Sequence, residues 1–253
     1  GLVNNESAPL WTEFPVISTV ATATSDVGEY AITAKGGEMR NYEIDKITPG
    51  VLTITPAPLR VSAINTSRLY FEDNPPLTYS CYGFAGNDNE SVFINKPQLR
   101  TEAKKNSKAG VYPITISGAS TKNYTLSYNP GELTIMKREL TVSTKDYTRT
   151  YGEENPEFEL SYKGFVNNEN EDVLLVKPKA MTVAKPDTDT GIYDITIGNG
   201  AAENYAFNYL GGKLTIEKAY QTLTWNQDLS VIIQYDQVEL LATASSGLDV
   251  TYT

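Results

Sequence analysis

Gly110-Val111-Tyr112-Pro113-Ile114-Thr115 decides the fold, because the chain writes it three times. It stands earlier as Gly28-Glu29-Tyr30-Ala31-Ile32-Thr33 and later as Gly191-Ile192-Tyr193-Asp194-Ile195-Thr196, at intervals of 82 and 81 residues. Asn41-Tyr42, Asn123-Tyr124 and Asn204-Tyr205 keep those intervals. Gly50-Val51-Leu52-Thr53-Ile54 returns as Gly131-Glu132-Leu133-Thr134-Ile135 and Gly212-Lys213-Leu214-Thr215-Ile216, 81 apart each time. Tyr70-Phe71-Glu72-Asp73-Asn74-Pro75 and Tyr151-Gly152-Glu153-Glu154-Asn155-Pro156 add a further landmark in the same register. A unit of this size can bury its own core, whereas solenoid repeats of ~20–45 residues depend on their neighbours.

The landmarks divide the chain into a repeat at 1–57, complete repeats at 58–137 and 138–218, and a tail at 219–253 outside the pattern. The first repeat lacks counterparts to roughly the opening 25 residues of the others, and Gly1 falls inside the pattern, so its expected start lies upstream. Within the third repeat, Leu140–Lys145 and Phe158–Tyr162 alternate apolar and polar residues, the period of a half-buried strand. Further strands are expected at Met181–Val183, Tyr193–Ile197, Tyr205–Tyr209 and Leu214–Ile216. Asn168-Glu-Asn-Glu171 has capping-box spacing ahead of an apolar run, so one short helix is expected before Pro178. The fold class is mostly β. Gly28, Gly110 and Gly191 close turns where a positive φ is expected. Tyr30, Tyr112 and Tyr193 share a strand face with Ile32, Ile114 and Ile195, which places their rings inward and their hydroxyls at the rim.

Composition removes whole classes of function. The 31 acidic and 21 basic side chains give a net charge of −10, the wrong sign for a nucleic-acid binder or for docking on an anionic membrane. The chain has no histidine, hence no imidazole base or ligand, and Cys81 is its single cysteine, so no disulfide forms within it. No apolar run approaches the ~20 residues of a membrane helix.

Carboxylates are the remaining catalytic material: Glu72/Asp73, Asp88/Glu90, Glu153/Glu154 and Glu169/Glu171/Asp172. They fall at turns and at the expected helix start, where acids cap N–H groups and stay solvated. Asp187-Thr188-Asp189-Thr190-Gly191 has the outline of a calcium loop, but the position of the bidentate glutamate is Gly198 and the second repeat puts Lys108 in the matching turn. The acids of 167–172 are the better weak-calcium candidate. Cys81 aligns with Tyr162 and is expected to be a small buried apolar group. Asn5, Asn65, Asn89 and Asn123 open Asn-x-Ser/Thr triplets that a chain this rich in these residues produces by chance. Trp11 and Trp225 stand outside the repeat pattern and are expected in cores. No catalytic, cofactor-binding or metal residue is assigned, and no cofactor is expected.

Tyr-Gly-x-x-Asn-Pro, Gly-Phe, Gly-x-Tyr-x-Ile-Thr, Asn-Tyr and Gly-x-Leu-Thr-Ile together resemble the MBG-type (YGX) repeats of bacterial surface proteins and adhesins, over residues 1–218. That resemblance implies tandem small β-grasp-like domains. Residues 222–252 resemble the opening strands of a bacterial Ig-like sandwich. The implied function is non-catalytic: a stalk with adhesive modules in an exported, cell-surface protein, meeting an extracellular protein or glycan. The alternative is a carbohydrate-binding accessory region of a larger extracellular enzyme. Incomplete end modules would uncover Ile32, Leu52 and Ile54 at one end and Val231, Ile233 and Leu241 at the other, inviting self-association.

Overall fold

The computed structural model describes residues 3, 11–225, 227, 234, 237 and 239–253. The chain forms two compact units, Gly1–Met136 and Lys137–Thr253.

The first unit holds two repeats. The first contributes β1 (Trp11–Glu13), β2 (Val16–Thr19), β3 (Gly28–Lys35), β4 (Glu38–Met39) and β5 (Gly50–Ile54). These make a three-stranded sheet, β2-β3-β5, and a β1-β4 pair. The second contributes β6 (Ala57–Ala63), β7 (Thr66–Leu69), β8 (Tyr79–Tyr82), β9 (Phe93–Asn95), β10 (Gln98–Arg100), β11 (Gly110–Ser117), β12 (Ser120–Thr121), β13 (Tyr124–Asn129) and β14 (Gly131–Met136).

Two long bent strands organise the second repeat. β6 continues into β7 after two residues, and β13 into β14 after Pro130. They run parallel throughout: β6 pairs β13 from Ala57↔Tyr124 to Ser62↔Asn129, then β7 pairs β14 from Thr66↔Leu133 to Leu69↔Met136. The bend moves both from a three-stranded sheet, β13-β6-β8, to a four-stranded one, β10-β11-β14-β7. Alternation does the rest: Leu59, Val61, Ile114, Leu133 and Ile135 turn inward and are fully or almost fully buried, while Arg60 and Glu132 face water. Each such aliphatic side chain contributes about 1.5–3 kcal/mol by leaving water.

The second unit repeats this plan with β15 (Arg138–Ser143), β16 (Tyr147–Thr150), β17 (Ser161–Lys163), β18 (Lys179–Met181), β19 (Gly191–Gly198), β20 (Tyr205–Leu210) and β21 (Gly212–Glu217). β15 pairs β20 and β16 pairs β21, both parallel. In the tail, β22 (Leu223–Trp225) and β23 (Ala242–Ala244) form an antiparallel pair, with Tyr252 against Trp225 at 6.0 Å. Leu241 is exposed; Val231 and Ile233 lie outside the described residues.

Several expectations change. The helix is a single 3-10 turn, Glu171–Val173, matched by Glu90–Val92 in the second repeat. Its cap is Asn170, extended at φ −136°, and not Asn168. Asn167 and Asn168 take the left-handed conformation at φ 58° and 55°, which asparagine tolerates but which a cap in the extended region cannot adopt. β16 joins the strand order. The strand near Phe158 begins only at Ser161, where pairing with β15 starts, and the Phe158 ring packs on Tyr147 at 5.2 Å. Met181 ends β18, leaving Val183 exposed.

Two of the three glycines that open β3, β11 and β19 take the expected positive φ, Gly28 at +158° and Gly110 at +156°, where a side chain is strained although an added Cβ meets only ordinary contacts; Gly191 is not among the positive-φ residues. The glycines of Gly-Phe are more crowded. Gly83 and Gly164 sit at φ +113° and +124°, and a Cβ there would lie 2.6 Å from the Pro58 and Glu139 carbonyl oxygens respectively.

Candidate functional site

The carboxylates are spent separately on local structure. Glu72 accepts the Leu69 N–H at 3.1 Å and Glu153 the Thr150 N–H at 2.8 Å. Asp73 pairs with Lys105, and both Glu171 and Asp172 with Lys177. Tyr124 donates to Asp88, Tyr205 to Glu169, and Tyr79 to Glu90. Burial, with the Glu90 carboxylate beside it, pushes the Tyr79 phenol up to about 12. Glu154, Asp187 and Asp189 are exposed. Among the described residues no group of three or more acidic or sulfur ligands could hold a metal.

The remaining candidates resolve similarly. Cys81 is half-buried opposite Val61, and its thiol pKa is raised, mainly by burial. The core placement expected of the tryptophans does not hold for Trp225, which is exposed; Trp11 is half-buried and stacks on Phe14 at 6.0 Å. Asn65 accepts the Glu132 N–H and Asn89 caps Ser91; Asn5 lies outside the described residues. Tyr30, Tyr112 and Tyr193 are half-buried and donate to the carbonyls of Asp26, Lys108 and Asp189, four residues back, which closes the turn ahead of each strand.

Two arginines that the alternating pattern disguises are the most buried charges among the described residues. Arg68 is 4% exposed and Arg149 5%. Arg68 donates from Nε to the Asn74 side-chain oxygen (2.7 Å), from Nη1 to the Leu69 carbonyl (3.1 Å) and from Nη2 to the Lys104 carbonyl (2.6 Å). Asn74 in turn donates to the Ala103 carbonyl at 2.7 Å. Arg149 and Asn155 reproduce every bond on Thr150, Lys185 and Ala184. A guanidinium cannot shed its proton, so burial is tolerable only where fixed acceptors replace water. The result is a latch that fastens the turn after β7 to the loop before β11. Its signal is the recurrence of Arg-x-Tyr-x-Glu-x-Asn at 81 residues.

Asn-Tyr divides its work between two repeats. Tyr124 is buried and its hydroxyl also accepts the Ala85 N–H, fixing the loop behind Gly83-Phe84. Asn123 faces the preceding repeat: its side-chain oxygen accepts the Val27 N–H (3.0 Å) and its amide donates to Asp26 (2.8 Å). Its backbone carbonyl accepts the Ala57 N–H, where β6 begins. Lys122 pairs with the same Asp26 carboxylate. Hydrogen bonds from Lys122 and Asn123 hold that carboxyl below its ordinary range. A groove of about 420 Å³ lies along this joint, bordered by Thr24, Ile54, Asn87, Asp88 and Tyr124.

The family model for the MBG domain (YGX type) matches residues 1–53, 59–134 and 140–215. The chain belongs to that family. It is a tandem MBG-repeat region, and no curated protein matches it. The YGX tyrosine and glycine are Tyr151 and Gly152 in the third MBG repeat. Gly152 is left-handed at φ +89°, and the second repeat forces Phe71 into the same region at φ 64°. No helix among the described residues is long and apolar enough to cross a membrane.

Proposed function

We propose that this MBG-repeat region is a non-catalytic spacer with adhesive modules in an exported, cell-surface bacterial protein. Family membership supports a surface-protein repeat region, and the joint between the first two repeats carries the spacer reading. A flexible string needs no side chain dedicated to its neighbour, yet Lys122 and Asn123 both close on the preceding repeat. Only Thr55 and Pro56 separate β5 from β6, and a proline-containing link of that length is stiff.

The parallel pairing of the opening and closing bent strands in each complete repeat, β6–β7 with β13–β14 and β15–β16 with β20–β21, supports the β-grasp-like description. The β22–β23 pair is the start of the Ig-like reading. An extracellular protein or glycan is the partner expected of such a surface, and the charge of −10 disfavours nucleic acid.

Nuclear-spin relaxation of the chain tests the joint. The first two repeats should share one rotational correlation time, and Asn123→Ala should separate them. Independent tumbling in the unmodified chain would overturn the spacer reading. Hydrolysis of a glycan or peptide by the chain would overturn the non-catalytic one.

A further inference from the structure

The second and third repeats differ along one strand edge. β10 and β18 flank the same side of their four-stranded sheets, and among the described residues each has one neighbour there, β11 or β19. The outward side chains along the second repeat's edge are Gln98, Arg100, Glu102 and Lys104. The third repeat has Lys179, Met181, Val183 and Lys185 at those places, 81 residues on. Charged side chains blunt an open edge against strand addition. β18 lacks that protection at its centre, where Met181 is 45% exposed and Val183 84%. A single exposed apolar side chain is ordinary, but these two follow one another on one face of an edge.

The backbone of this edge is oriented to pair. Met181 stands opposite Thr196, whose Oγ1 donates to the Met181 carbonyl at 3.3 Å, so Met181 turns its polar groups toward β19. Successive residues of a strand alternate, hence Ala180 and Thr182 turn theirs to the open side, where no described backbone group meets them. Charge decides what fits. Lys179 makes no ion pair among the described residues, whereas Lys177 before it is held by Glu171 and Asp172. Asp194, on the same face of β19, is held by Lys213. Beyond Val183, Lys185 is followed by Asp187 and Asp189, so Lys179 is the end that attracts a carboxylate. A second copy of β18 fits poorly: antiparallel pairing about Thr182 sets Lys179 against Lys185 at both ends, and like charges repel there.

We propose that the β18 edge of the third repeat docks an extended segment of a partner protein, one face of which reads apolar-x-apolar-x-acid. The segment adds antiparallel to β18, the stabler of the two pairings. Its acid lies opposite Lys179, one apolar side chain opposite Met181 and the other over Val183. The backbone bonds go to Ala180 and Thr182. Met181 then falls in a non-hydrogen-bonded pair, where facing side chains approach most closely. Bonds to the backbone give attachment without selectivity, and the Met181–Val183 pair with Lys179 selects the sequence. The second repeat offers the same backbone but sets Arg100 and Glu102 against the apolar pair. The site goes beyond the spacer reading and does not rest on it.

A fluorescent peptide, Ser-Val-Thr-Ile-Thr-Glu-Ser, added to the whole chain tests the site by anisotropy and by amide hydrogen exchange. Saturable one-to-one binding is expected, with new protection of the Ala180 and Thr182 amides and none in residues 98–102. Met181→Arg combined with Val183→Glu writes the second repeat's own residues into the edge and should weaken binding at least tenfold. Unchanged exchange in β19 and β21 shows that this variant keeps its sheet. If the sheet is disturbed, a charge exchange decides instead: Lys179→Glu should weaken binding at least threefold, and the peptide with lysine in place of its glutamate should recover it. Absence of saturable binding, equal affinity of the double variant with its sheet intact, failure of the charge exchange, or equal protection in residues 98–102 would overturn the proposal.

Discussion

Leu52 and Leu133 occupy the same place in the same Gly-x-Leu-Thr-Ile sequence, yet Leu52 is 38% exposed and Leu133 is 0% exposed. Both lie in strands, and both strands pair antiparallel with the strand that follows the Gly-x-Tyr turn, β5 with β3 and β14 with β11. The difference is the parallel partner. In the second repeat β6 and β7 supply it; in the first, no described strand does. The loss spreads along the chain. Tyr124–Asn129 is a strand on β6, whereas residues 42–47, which follow the corresponding Asn-Tyr, form none. A hairpin therefore forms from local sequence, while the strand before it needs a partner from the far end of the repeat. That division follows sequence separation.

The largest expected effect is Leu133→Ala, about 3 kcal/mol for a filled core position, against under about 1 kcal/mol for the half-open Leu52→Ala. Denaturant unfolding of both variants measures the gap, and equal losses would erase the contrast between the repeats. Next comes Arg68→Met, which keeps the stem but takes the donor from the Asn74 oxygen and removes the arginine's bonds to the Leu69 and Lys104 carbonyls. A loss of roughly 2 kcal/mol is expected, with exchange rising first in residues 69–76 and 103–108. A neutral result would mean that packing, and not the latch, separates the second repeat from the first. Gly152→Ala should cost about 1 kcal/mol through its left-handed backbone alone, since nothing lies within 4 Å of the added Cβ. The second repeat, with Phe71 already strained there, has no such cost to add.

The smallest effect concerns pH. Asp26 has a lowered pKa in the folded chain, so its contribution to the joint is complete above the ordinary carboxylate range and is lost as pH falls through the lowered value. A carboxyl-carbon titration should find Asp26 ionising below the chain's exposed aspartates. Lys122→Ala should bring it back toward them, and an unshifted midpoint in that variant would leave the ion pair without a role.

Repeat length and strand content were legible because each rests on periodicity or on short-range chemistry. The latch was hidden because Arg68 and Arg149 sit in short strands where a charge reads as outward, and their acceptors lie 36 residues away. Gly83 and Gly164 were hidden for the same reason: the carbonyls they must clear belong to another strand. The recurrence of Asn-Tyr marked Asn123 as important without revealing that its side chain serves the preceding repeat. Asn167 and Asn168 misled because a capping pattern specifies spacing and says nothing of backbone sign.

The parallel long strands have a mechanical meaning. In the second repeat the chain enters at Ala57 and leaves at Met136, and these are opposite ends of two strands lying side by side. Tension between the two ends pulls β6–β7 one way and β13–β14 the other, along their shared length. All six register pairs of the upper segment and all four of the lower are then loaded together in shear, instead of parting one at a time as in an unzipped hairpin. The third repeat has the same arrangement, again with six pairs and four. Among the described residues β5 has no partner of this kind, so within them a pull on the first repeat meets its antiparallel β3–β5 pairing and no shear pair.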